Sequence, residues 1–165
     1  MVGKTIETDR FLRNSLFVLC ETFEGSSEGE GSAYLDRGVG VFSTLQDINH
    51  NLASTAVAGS TVAAHTEHLK FYIDRLVEFM NGRKEKVNWE QSWLIETVDE
   101  DEWQILREGV RKTYEKLLQS IAETKEWNDE AIGGMIAIIA HCAYHLGAIR
   151  QISKAAKAGN KTAAN

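Results

Sequence analysis

The stretch "IIAHCAYHLGAIRQI", residues 138–152, sets two histidines four positions apart in the most apolar part of the chain. Only five histidines occur in 165 residues, so finding His141 and His145 where a core helix wants leucine needs a reason. Positions i and i+4 of a helix stand one turn apart on the same face. Two imidazoles so placed either pack as satisfied core histidines or share one metal ion. Working outward, residues 131–149 (AIGGMIAIIAHCAYHLGAI) carry no formally charged side chain, which approaches the length that spans a bilayer. Two histidines and three glycines weigh against a span, and no other segment resembles one. The expectation is a helix apolar all round, buried at the centre of a helical bundle, in a protein with no membrane partner.

The rest of the chain repeats the helical period. Leu12, Leu16, Leu19 and Phe23 are spaced by four, three and four. Leu35, Val39, Phe42, Leu45 and Ile48 predict a second, shorter helix. Val62, Leu69, Ile73, Leu76 and Met80 predict a third, with Ser60 or Thr61 as N-cap and Gly82 as its stop. Trp103, Leu106, Val110, Tyr114, Leu117 and Ile121 predict a fourth, opened by the acidic run Asp99-Glu100-Asp101-Glu102 that suits a helix N-terminus. The fifth begins near Asn128-Asp129-Glu130 and runs to about Ser153. Proline is absent, so the breaks fall to polar and glycine-rich stretches: a loop at 25–32 (GSSEGEGS), a linker at 82–92, and a frayed tail at 155–165. No stretch alternates as a strand does. The expected fold class is all-α, a four-helix bundle with an additional short connecting helix, in one domain over residues 1–154.

Composition narrows the function classes. The formal charge of −6 leaves no basic surplus to replace phosphate counterions, which argues against a direct nucleic-acid partner. Two cysteines, Cys20 and Cys142, are too few for a disulfide framework and suit a reducing cytoplasm. The N-terminus (MVGKTIETDRFLRNS) lacks the apolar run of a signal peptide, so a cytoplasmic protein is expected.

A metal held by His141 and His145 needs a third ligand from another helix. The segment "AAHTEHLKFY", residues 63–72, offers His65 and His68, and "DINHN" offers His50. Projected at about 100° per residue, His65 lies nearer the middle of the Leu69/Leu76 stripe and His68 on its flank, beside Tyr72 and Phe79. On geometry alone His65 is the more buried of the two, and the third ligand stays open. Cys142 stands where a zincin-type peptidase places glutamate, which disfavours that class.

"GSTVAAHTEHLKFYIDRL" taken with "IIAHCAYHLGAIRQI" resembles the DinB-like (DNA-damage-inducible, YfiT-like) family of metal-binding helical bundles. The intervening "NWEQSW" and "DEDEWQILREGVRKTYEKLL" extend the likeness over roughly residues 5–153. In that family the first ligand follows the helix's opening hydrophobic residue by six positions, so Val62 points to His68 rather than His65. The resemblance implies His68, His141 and His145 as ligands of one divalent ion, zinc or nickel first, with iron or manganese as further options. It also implies a homodimer and an enzyme of the thiol S-transferase or hydrolase type. Such an enzyme uses a metal-activated thiol or water on a small-molecule substrate, with a low-molecular-weight thiol as partner. The contrasting expectation is a non-catalytic metal- or ligand-binding stress protein that needs the same three ligands.

Simpler roles are expected elsewhere. Cys142 reads as a packed small hydrophobe, Arg150 as a partner for a carboxylate or the helix C-terminus, and the four tryptophans as core and interface anchors. Glu67 could act as a base beside the metal, but its place on the helix points away from His68.

Overall fold

The computed structural model describes residues 5–26, 29 and 31–163, the last four by backbone alone. Ser27, Glu28 and Glu30 of the expected 25–32 loop, and the ends 1–4 and 164–165, lie outside the described residues. The described residues are all-α: α1 (Thr8–Glu24), α2 (Val41–Gln46), α3 (His50–Ala53), α4 (Val62–Met80), α5 (Glu100–Glu123) and α6 (Asp129–Ala163), with a 3-10 helix at Trp89–Trp93. The nearest thing to a strand among them is one antiparallel bridge, Val57 to Ser60, across the turn that leads into α4.

Side-chain caps fix the starts of three helices, α4, α5 and α6. The Thr61 hydroxyl accepts the amide of Ala64 at 3.0 Å and donates to the Glu96 carbonyl at 2.8 Å. One side chain therefore starts α4 and ties down the chain just beyond the 3-10 helix. Asp99 and Glu102 form a reciprocal capping box on α5, at 2.8 and 2.9 Å, worth about 1 kcal/mol. Asn128 caps α6 by accepting the Ala131 amide at 3.0 Å.

α4 packs against both α5 and α6, and α1 packs against α6. Leu69 and Ile73 of α4 are fully buried, as are Val110 and Leu117 of α5 and Ile149 of α6. Each such side chain contributes roughly 1.5–3 kcal/mol by leaving water. α4 and α6 run antiparallel. His68 meets His145, Tyr72 meets His141, and Leu76 shares a cavity with Ile138, so positions rise on one helix as they fall on the other.

Three expectations are corrected. The helix predicted over Leu35–Ile48 begins only at Val41, and a separate turn, α3, follows it. Gly40 is the reason: a Cβ there would come within 2.6 Å of the Gly25 amide and 2.8 Å of the Phe23 carbonyl. The chain must cross the end of α1 before it can coil. At the other end α6 does not stop near Ser153 but runs through the expected tail to Ala163, because "KAAKAGNKTA" is rich in strong helix formers. Finally, α6 is not enclosed all round. Over Asp129–Gly159 it is long and apolar enough to cross a membrane by composition, with a mean hydropathy of 1.6, yet only 33% of its most apolar window is buried. One face, with Met135, Ile138, Cys142, His145 and Leu146, is packed; the other leaves Ile136 and Tyr144 exposed.

Candidate metal centre

Two helices supply the site. His65 and His68, three apart on α4, face His141 and His145, four apart on α6. The rings of His68, His141 and His145 form a triangle with centroid separations of 5.1, 4.7 and 4.4 Å. Each of the three offers a ring nitrogen, and these lie within 4.8 Å of one another. Nitrogens on a tetrahedral ion stand about 3.3 Å apart, given bonds of about 2.0–2.1 Å. An ion bound to all three would draw the nitrogens together from the present spacing.

The hydrogen bonds around the triangle decide which nitrogens are free. His68 Nδ1 is 2.7 Å from the Ser92 hydroxyl, and that hydroxyl donates its single hydrogen to the Trp89 carbonyl at 2.6 Å. Ser92 can therefore only accept from His68, so the His68 proton sits on Nδ1 and the Nε2 lone pair is free. His145 Nδ1 is 2.9 Å from His65 Nδ1. With the proton of that bond on His145, its Nε2 is free as well, and His65 becomes the accepting partner. His141 Nε2 is buried with no hydrogen-bond partner. A buried polar nitrogen costs about 1–3 kcal/mol when left without a partner, and a metal ion would satisfy it. The donor set thus fits a divalent transition ion: three imidazole nitrogens, two held from behind as ligand histidines usually are.

Burial keeps the rings neutral. It pushes His145 down to about 3 and His141 down to about 4 from the ordinary 6.5, with the neighbouring histidines adding to it. His65 and His68 are lowered too, by burial first and, for His68, by His65. Among the described residues, burial and the neighbouring histidines account for these shifts. No carboxylate among the described residues figures in the shifts or joins the histidine group.

Aromatic rings wall the site. Tyr72 stacks on His141 at 3.6 Å, and Trp93 stacks on His68 at 4.1 Å while meeting His65 edge-on at 5.3 Å. Tyr144 stands edge-on to His145 at 4.9 Å. Trp89 and Trp93 are 41% and 42% exposed, so these two tryptophans rim the mouth of the site rather than anchor the core; Trp103, 2% exposed, is the core tryptophan.

Of the residues singled out from sequence, His68, His141 and His145 come together. His65 is buried, as its projection required, but stands behind His145. His50 opens α3 and is outside the cluster. Glu67 lines a different cavity with Lys70 and Ile95, facing α5. Cys142 is fully buried, and burial pushes its thiol far up, so it is no nucleophile. Arg150 is exposed well short of the end of α6, so it does not serve the helix C-terminus. Ser92, Trp93 and Tyr72 are site residues that sequence reading missed. Asn88, whose side chain accepts the Glu90 amide at 3.1 Å, is the cap that signals the 3-10 helix carrying two of them. No family model, curated protein or solved structure matches the chain.

Proposed function

We propose that the chain is a cytoplasmic metal-dependent enzyme of DinB-like four-helix-bundle type, with α1, α4, α5 and α6 as the four helices. His68, His141 and His145 hold one divalent ion, zinc or nickel first. The reaction joins a low-molecular-weight thiol, or water, to a small electrophilic substrate. A divalent ion on three neutral imidazoles keeps its full charge and supplies Lewis acidity that makes a thiol or water nucleophilic near neutral pH. Ser92 and His65 fix the His68 and His145 rings from behind. Tyr72 and Trp93 cover the rings against bulk water, which strengthens electrostatics inside the site. The single observation that carries the reading is the buried, partnerless Nε2 of His141, on a ring grouped with His68 and His145 so that one nitrogen of each lies within 4.8 Å of the others. The sealed Cys142 supports it, since the buried thiol cannot serve as a covalent nucleophile. A homodimer belongs to the same proposal, supported by the exposed Ile136 and Tyr144 on α6.

The test is a screen of metal-loaded protein with several cellular thiols and a model electrophile, with His141→Ala as control. Metal-dependent conjugation or hydrolysis that disappears in the variant is the expected result. Equal inertness of both proteins, with metal still bound by the wild type, would favour the non-catalytic binding protein.

A further inference from the structure

A cavity of about 490 Å³ opens at the end of the α4–α6 pair, away from the 3-10 helix. Its wall is apolar: Leu76, Phe79 and Met80 from α4, Met135 and Ile138 from α6, and Trp127 from the turn before α6. The volume falls within the few hundred to a thousand Å³ of small-molecule sites. Leu76 and Ile138 are one turn beyond Tyr72 and His141 respectively, so the cavity begins about 5–6 Å further along the groove that holds the histidines. The polar groups in its lining are Thr124, Asn128, Glu126 and Glu130, so its formal charge is negative. The α6 first turn gives an anion little, because Asn128 caps it and Asp129 and Glu130 occupy it. On the cavity side of α6, Gly134 leaves space: a Cβ there would meet nothing within 4 Å.

We propose that this cavity binds a small apolar molecule that carries no negative charge, such as a neutral or amine-bearing aromatic or hydrocarbon. The size and lining call for an apolar body. The two glutamates repel a carboxylate, sulfonate or phosphate and tolerate an amine. The site stands independently of the metal proposal, because no histidine lines it.

Metal-free protein titrated with N-phenylnaphthylamine, a neutral fluorophore, and with its sulfonated anion, anilinonaphthalene sulfonate, tests this. The neutral probe should bind with enhanced emission and the anion about tenfold or more weakly. Gly134→Leu fills the cavity with a better helix former than glycine, and should weaken the neutral probe about tenfold while the protein keeps its helical circular dichroism. Gly133→Leu, the same change on the exposed neighbour where a Cβ also meets nothing, should leave binding intact. His145→Ala should leave it intact too, which separates this site from the metal centre. A wild type that binds neither probe, equal affinity for both probes, or equal effects of the two glycine variants would overturn the proposal.

Discussion

Two polar clusters of this protein are built in opposite ways. Near the end of α1, the Glu21 carboxylate is 3% exposed and meets four donors: the Ser32 hydroxyl and the amides of Ala33, Tyr34 and Leu35, the amides at 2.9, 3.2 and 3.3 Å. Burial alone would raise its pKa, but those bonds win and the net shift is downward. Every lone pair is used, by groups of the chain itself. The histidine cluster is only partly buried, and its hydrogen bonds run to Ser92 and His65 while His68, His141 and His145 each keep a ring nitrogen within 4.8 Å of the others. A saturated cluster fixes a loop. A cluster with its free lone pairs turned inward has room for a ligand.

Breaking each cluster in turn should separate stability from binding. The largest effect is expected from His145→Ala, which should lower affinity for a divalent ion at least a hundredfold in a competition titration and leave a folded helical protein. Glu21→Ala should do the reverse. It leaves the amides of Ala33, Tyr34 and Leu35 without their acceptor, costs about 2 kcal/mol, and lowers the melting temperature by about 6 °C with metal affinity unchanged.

Acid should distinguish the clusters next. The histidine pKa values are lowered on folding, so the unfolded chain takes up protons first as pH falls. Stability of the metal-free protein should therefore decline from about pH 6.5 towards the folded values of about 4 and 3 for His141 and His145. Glu21 is depressed, so its contribution is full above the ordinary 4.5 and is lost only as pH falls below it. Urea midpoints between pH 6.5 and 5 should slope in the wild type and flatten in a His141→Ala/His145→Ala variant; an unchanged slope would assign the acid sensitivity elsewhere.

Smaller effects sharpen the picture of the supporting residues. Ser92→Ala and His65→Ala each remove a partner behind a ligand and should weaken metal binding about tenfold, the lower end for such contacts. The smallest effect is expected at Glu67, which faces α5; Glu67→Gln should leave metal affinity within experimental error.

Much of this was legible in sequence, for reasons that differ by residue. The His141/His145 pair follows from helical spacing alone, and the α4, α5 and α6 starts follow from Thr61, Asp99 and Asn128. The choice between His65 and His68 mixed two questions. Projection asks which side chain is buried, and His65 is; grouping asks which ring offers a nitrogen to both histidines of α6, and His68 does. Ser92 and Trp93 escaped because a short 3-10 helix within and just beyond an unremarkable linker folds back onto α4, a contact that no local period reports. The late start of α2 escaped because it depends on how closely Gly40 passes the end of α1. The full length of α6 rests on alanines and lysines that are good helix formers but share their stretch with Gly159 and Asn160, which read as a break.

The central claim is that the triangle of His68, His141 and His145 holds a metal ion, and cobalt titration of untagged, metal-stripped protein tests it most directly. Cobalt reports its own coordination through visible d–d absorption. One equivalent per chain with intense tetrahedral-type bands, lost in His68→Ala, His141→Ala and His145→Ala alike, is the predicted result. A wild type that develops no such bands, or variants that develop them undiminished, would contradict it.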